Sequence, residues 1–282
     1  MKRTTLVALI TAVAFGAVMA ALAWRDAGPV LAVSGQNSKR ADVLTTLRDG
    51  SWDNRLQALE TVRHTDSLLK DPEIRGTLRQ ELNNANEWVR SVHGRATTQR
   101  VSDESAEVHG EYHLRLVKTV AQCKDPAMIG VLADAAGTGP TAWHALAEFG
   151  SMAVGPVVDT YEAVAARSSG AEHQRPDYSL TMSGLLRTLA LVAEQKTPLS
   201  ADDKRRIDTL NIRAMEKPRH SVVLIAAIDL AASSSNQELQ EDVALFAGNP
   251  SAAAQRLDDD PDRAEDVSRH AKAALGRLRA KF

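Results

Sequence analysis

The sequence predicts an all-α fold built of stacked helix pairs, and three observations carry that prediction. From Ala41 onward apolar residues recur at three- and four-residue intervals, and no stretch alternates as a half-buried strand would. Helix starts are marked four times by a side-chain acceptor followed by proline: Asp71-Pro72, Asp125-Pro126, Asn249-Pro250 and Asp260-Pro261. The acceptor satisfies a free backbone N–H of the first turn, and proline has none to leave orphaned. Finally, one short helical pattern returns at intervals of about 40 residues, the length of a helix pair.

The chain opens with Lys2 and Arg3, followed by an uncharged stretch over residues 4–23. This has the charged head and apolar middle of an export signal. Ala21-Leu22-Ala23 before Trp24 and Val30-Leu31-Ala32 before Val33 are candidate cleavage motifs. The stretch also reaches the roughly 20 residues that span a bilayer. Residues 1–23 therefore read as a signal peptide or a signal anchor, with cleavage favoured slightly. On either reading the two N-terminal cations keep the start of the chain inside and place the body in the periplasm or outside the cell. Any membrane attachment runs through an uncleaved leader. Residues 24–40, small and polar, read as a linker, and residues 41–282 as the helical body.

Within the body, Ser200 and Asp203 make a capping-box-like start for a helix carrying Ile207 and Leu210. Gly150 and Gly248 stand where helices should stop. The recurring pattern is a small residue or Thr, then Leu or Ile, then an apolar residue three further on. Its leucine or isoleucine falls at Leu59, Leu146, Leu189, Ile228 and Leu275. The later spacings are 43, 39 and 47 residues; the first gap, of 87, holds two units, the less regular one around Val117. Residues 141–166, "TAWHALAEFGSMAVGPVVDTYEAVAA", are the clearest unit, and residues 265–278, "EDVSRHAKAALGRL", look like the first helix of another. These units resemble bacterial HEAT repeats, of the armadillo type, and the resemblance extends loosely over residues 41–282. It implies a right-handed α-solenoid of stacked HEAT-like helix pairs, whose usual work is to bind other macromolecules, and it transfers no catalytic motif.

Such pairs stack because one amphipathic pair cannot bury its apolar face alone. In the second helix of the clearest unit, Val154, Val157, Val158, Tyr161, Val164 and Ala165 form the apolar stripe, with Asp159 and Glu162 on the other side. After Ser200, Ile207, Leu210 and Ala214 form the buried side and leave Arg206, Arg213 and Glu216 free. In HEAT-like solenoids second helices line the binding face. Asp159, Glu162, Arg206, Arg213 and Glu216 are accordingly the expected partner-facing surface. Polar residues 95–107 and 167–179 read as long loops.

Composition narrows the function. A net charge of −2 with both signs mixed provides no electrostatic footprint for nucleic acid. Aromatic residues make up only 4% of the chain, so alanine, leucine and valine must fill the core. The single cysteine, Cys123, excludes an intrachain disulfide and reads as a small buried hydrophobe.

The stretch nearest to chemistry is "VHGEYHLRL", residues 108–116, one step from the H-E-x-x-H of zinc proteases. At about 100° per residue, His109 and His113 fall on the apolar stripe with Leu116, Val117 and Val120, while Glu111 lies opposite. That Glu111 is out of reach of a metal-bound water. His109 and His113 remain weak candidates for a structural metal, with His93, Asp134 or His144 as a third ligand, and Gly110 as a point where the helix could break. Residues 256–266, "RLDDDPDRAED", lack the glycine and spacing of a calcium loop and read as a turn capped by Asp260. No phosphate loop or nucleophile elbow is present. The expectation is a non-catalytic, exported scaffold that binds protein partners in the cell envelope and needs no cofactor. The alternatives are a metal-dependent hydrolase or lyase using the His109–His113 region, and a membrane-anchored structural spacer.

Overall fold

The computed structural model describes residues 36–93, 103–168, 176–218, 220–257 and 261–281. The leader, with both proposed cleavage points, lies outside them. Among the described residues there are fourteen α-helices and no strand, and no helix is long and apolar enough to cross a membrane. The chain divides into two units, residues 1–42 and 43–282. The described part of the first is the opening of α1 (Gln36–Asp49), which therefore begins five residues before the expected onset at Ala41. Nothing in Gln36-Asn37-Ser38-Lys39-Arg40 breaks a helix, so polarity alone did not make it a linker.

The second unit continues with α2 (Trp52–Arg63), the single turn α3 (Asp66–Leu69), α4 (Pro72–His93), α5 (Asp103–Gln122) and α6 (Ile129–Asp134). Next come α7 (Pro140–Ala147), α8 (Val154–Ser168), α9 (Pro176–Ala193), α10 (Ala201–Glu216), α11 (Ser221–Ala231), α12 (Gln237–Gly248), α13 (Pro250–Ala254) and α14 (Ala264–Lys281). Short 3-10 turns lead into α6, α7, α8 and α14. The helices pack as two series. In the first, α2, α5, α7, α9, α11 and α14 each touch the next; in the second, α4, α6, α8, α10 and α12 do the same. The series are joined through α4 on α5, α6 on α7, α8 on α9, α10 on α11 and α12 on α14.

The capping signals work as their chemistry requires. Asp71 Oδ1 accepts from the N–H groups of Glu73 and Ile74 at 2.9 and 3.0 Å. Asp125 accepts from Ala127 N at 3.0 Å, and Asn249 from Ser251 N at 3.1 Å. Ser200 Oγ accepts from Asp203 N and donates to its carboxylate. Asp260 lies outside the described residues. Gly150 ends the α7 turn with φ +58°, in the left-handed region that suits glycine, whereas Gly248 is simply the last helical residue of α12. Parts of the two expected long loops are helical, since α5 starts at Asp103, α8 runs to Ser168 and α9 starts at Pro176; residues 94–102 and 169–175 lie outside the described residues. Residues 95–107 contain no proline or glycine, and Pro176 sits at a helix start, where its missing N–H does no harm.

The core is built of small and aliphatic side chains, as the low aromatic content demands. Leu59, Val117, Leu146, Leu189 and Ile228 are fully buried, and all lie in helices of the first series; Leu275, on α14, packs at its edge. Small residues bring these helices close. At Gly184 of α9 a Cβ would overlap the Ala136 carbonyl oxygen and press on the Trp143 indole. That indole N–H donates to the same carbonyl at 2.6 Å.

Candidate functional site

The helix carrying the two histidines is continuous through Gly110. Tyr112, His113, Leu116, Val117 and Val120 are buried, and Glu111 is exposed. Glu111 pairs at 2.8 Å with Arg115, which also reaches Glu60 at 2.7 Å. The inward and outward sides therefore follow the helical period.

The histidines themselves separate. His113 Nε2 lies 2.8 Å from Asn86 Oδ1, and Asn86 Nδ2 donates to the Val131 carbonyl at 3.0 Å. With the amide N–H so engaged, Asn86 offers its oxygen, and His113 is the Nε2–H donor. Burial pushes its pKa down to about 4, so it is neutral at pH 7. His109, half-buried, is instead held by aromatic rings. It stacks on Trp88 with centroids 4.2 Å apart and planes 10° apart, and meets Trp52 at 4.4 Å and 59°. The suggested third ligands lie elsewhere. Burial raises the Asp134 carboxyl, with Arg90 and Arg167 acting against it. His144 lines a separate cleft with Trp143 and Arg187, and the His93 side chain is outside the described set. Among the described residues no three His, Cys, Asp or Glu side chains come together as a metal site.

What gathers around His109 is a cleft of about 280 Å³ between the end of α1 and helices α2, α4 and α5. On α4, Glu81, Asn84, Ala85 and Trp88 share one face at i, i+3, i+4 and i+7. Trp52 and Arg55 enter from α2, and His109 and Tyr112 from α5. Glu81 is the polar floor, accepting from Arg55 Nη1 at 3.1 Å and from the Tyr112 hydroxyl at 3.2 Å. Burial and the Glu81 carboxylate hold the Tyr112 phenol above its ordinary range, so it stays a donor. The Arg55 guanidinium also lies 5.2 Å from the Trp52 ring centroid, a cation–π contact. Sequence reasoning found His109 here but missed both tryptophans, Arg55 and Glu81. The one available signal was that α4 carries Trp88 in register with polar residues.

Of the expected partner-facing residues, Asp159, Glu162, Arg213 and Glu216 are exposed on α8 and α10 and Arg206 is half-buried, and they are not all free. Arg206 donates to Asp159 at 2.8 Å and Arg213 to Glu162 at 3.0 Å, so four of the five form two ion pairs between neighbouring helices. Reading each helix alone hid the match, because the partners stand 47 and 51 residues apart. Glu216 lines, with Tyr161, Met182, Arg213 and Lys217, a broad cleft of about 550 Å³ beside this ladder.

A third cluster centres on Asp229 of α11. It accepts from His270 and Arg277 of α14, each at 2.8 Å, and pairs with Arg187 of α9 at 3.5 Å. Burial alone would raise the Asp229 carboxyl. The His270 hydrogen bond and the His270, Arg187 and Arg277 charges outweigh it and hold the pKa below the ordinary value. Cys123 is buried, with burial pushing its thiol up to about 11, as suits an inert core residue. No protein-family model matches the chain, and neither the curated proteins nor the solved structures give a significant match.

Proposed function

We propose that the chain is an exported, non-catalytic α-solenoid of HEAT-like helix pairs, right-handed, that binds protein partners in the cell envelope as a scaffold. The carrying observation is the packing in two series, each helix lying against the next of its own series. The recurring Leu or Ile positions all fall in the first series. Polar bonds across helices also keep the period: Arg187–Asp229, His270–Asp229 and Arg206–Asp159 span 42, 41 and 47 residues. A stack of this kind exposes one side chain row per helix and so presents a long surface, the property on which repeat proteins build binding sites. The charged row on α8 and α10 is the part assigned to the partner, and residues 4–23 supply export and, if uncleaved, an anchor.

The test places a photo-crosslinking side chain at Glu162 and at Glu216 of the full chain in its own cells. A discrete adduct with a defined partner is expected at one or both positions. Turnover of a small substrate by the purified chain, with no adduct at either position, would overturn the reading.

A further inference from the structure

The broad cleft beside the α8–α10 ladder holds a buried hydroxyl with nothing to bond to. Tyr161 lines it with only 6% of its surface exposed, and among the described residues its hydroxyl neither donates nor accepts. The other deeply buried phenol, Tyr112, donates to Glu81 at 3.2 Å. Nor is the Tyr161 hydroxyl sealed in the core like the orphaned amide of Asn211; it opens on the cleft. Burial holds the phenol above its ordinary range, so it is neutral and keeps its proton. Around it the floor is apolar: Ala165 of α8, the buried Met182 of α9, the buried Leu210 of α10 and Pro218 just beyond. The remaining polar groups leave no net sign at the rim. Ser168 Oγ donates to the Ala165 carbonyl at 2.8 Å, Glu162 is paired with Arg213, and the exposed Glu216 and Lys217 are neighbours of opposite charge.

A charged occupant gains no net attraction from such a rim and loses its water. A leucine or phenylalanine side chain covers the floor, but it strips the Tyr161 hydroxyl of water and returns no hydrogen bond. A helix laid in the groove by its middle has its backbone groups engaged and leaves that hydroxyl in the same state. A saccharide brings many hydroxyls to a floor that offers one partner. A tyrosine side chain answers both features. Its ring covers Leu210 and meets the Met182 thioether, and its hydroxyl can donate to that of Tyr161 or accept from it. We propose that the cleft between the C-terminal ends of α8 and α10 receives a tyrosine side chain of the protein partner, bonded hydroxyl to hydroxyl with Tyr161. The charged rim then closes around one anchoring residue, as in interface hot spots. The proposal deepens the binding function above and rests on it.

The experiment titrates the full chain, labelled with ¹³C at the methionine methyl groups, with acetyl-Ala-Tyr-Ala amide and separately with acetyl-Ala-Phe-Ala amide, which differ by one oxygen. The expected result is a saturable ring-current shift of the Met182 methyl signal, with the exposed Met152 unmoved. The tyrosine peptide should bind about tenfold more tightly than the phenylalanine peptide. Met182→Leu assigns the signal. Tyr161→Phe removes the hydroxyl and keeps the ring, so it should retain native helicity and bind the two peptides equally. No shift with the tyrosine peptide, equal affinities in the wild-type chain, or a tyrosine preference that survives in Tyr161→Phe would each overturn the proposal. Adducts at Glu162 or Glu216 alongside equal affinities would leave the scaffold reading standing and this inference fallen.

Discussion

In the first series α9, α11 and α14 are tied together through one half-buried carboxylate, whereas in the second α8 and α10 are tied through ion pairs open to water. Asp229 joins α9, α11 and α14 with its side chain 21% exposed, and the Trp143–Ala136 bond lies directly beneath α9. On α8 and α10 the paired side chains Asp159, Glu162 and Arg213 are each more than half exposed. Exposed pairs contribute roughly 0.2–1 kcal/mol each, while removing one partner of a desolvated pair costs several times more. The Asp229 junction therefore contributes more to stability than the α8–α10 ladder, whose charges can change with little loss of stability.

The sharpest break of this contrast is Gly184→Ala. The added methyl overlaps a backbone oxygen, which cannot swing aside as a side-chain end can. α9 must shift from both Ala136 and Trp143, and the expected loss is about 3 kcal/mol or more. Urea unfolding of the variant measures it, and a loss below that of a surface substitution would remove the first series from its structural role.

Acidification tests the junction between the series, where His113 of α5 meets Asn86 of α4. The folded pKa of about 4 lies below the ordinary 6.5. Between those values the unfolded chain binds the extra proton, so stability rises with pH through that window and is lost as pH falls from about 6.5 to about 4. The full loss is on the order of 3 kcal/mol. A His113→Gln variant should flatten that part of the stability profile.

Asp229→Ala should cost about 2 kcal/mol, because Arg187, His270 and Arg277 are left facing one another. The wild-type contribution has its own pH signature. The folded pKa is depressed, so the contribution is present above the unfolded carboxyl value of about 3.9 and disappears as pH falls through the folded one. It is thus separable from the His113 effect, which is spent before that pH is reached.

These features differ in how far the sequence shows them. The helix faces were legible because periodicity is local: His113 inward and Glu111 outward follow from 100° steps alone. Cap residues were legible for the same reason. The contacts between helices were not, since Asp229 reads as one carboxylate in the apolar run Ser221–Ala231, and its cations stand more than forty residues away in either direction. Trp52 and Trp88 likewise show no sequence relation to His109. Helical period fixes which way a side chain points on its own helix, and only packing decides what it meets.

In the second series, Asn211 of α10 is fully buried, and among the described residues neither its Oδ1 nor its Nδ2 has a partner. Asn211→Leu keeps the volume and removes two orphaned polar atoms, so a gain of about 1 kcal/mol is expected in thermal unfolding. A loss would show that the amide is satisfied by water held between the helices.

The smallest effect should come from the ladder itself. Glu162→Ala and Arg213→Ala, separately and together, form a double-mutant cycle across α8 and α10. The coupling expected is below about 1 kcal/mol and shrinks further in 0.5 M salt, because water and counterions screen both groups. The same two substitutions should weaken partner capture far more than they weaken the fold. A coupling as large as that of Asp229, insensitive to salt, would mean that this pair braces the stack, and the partner surface would have to be sought on another face.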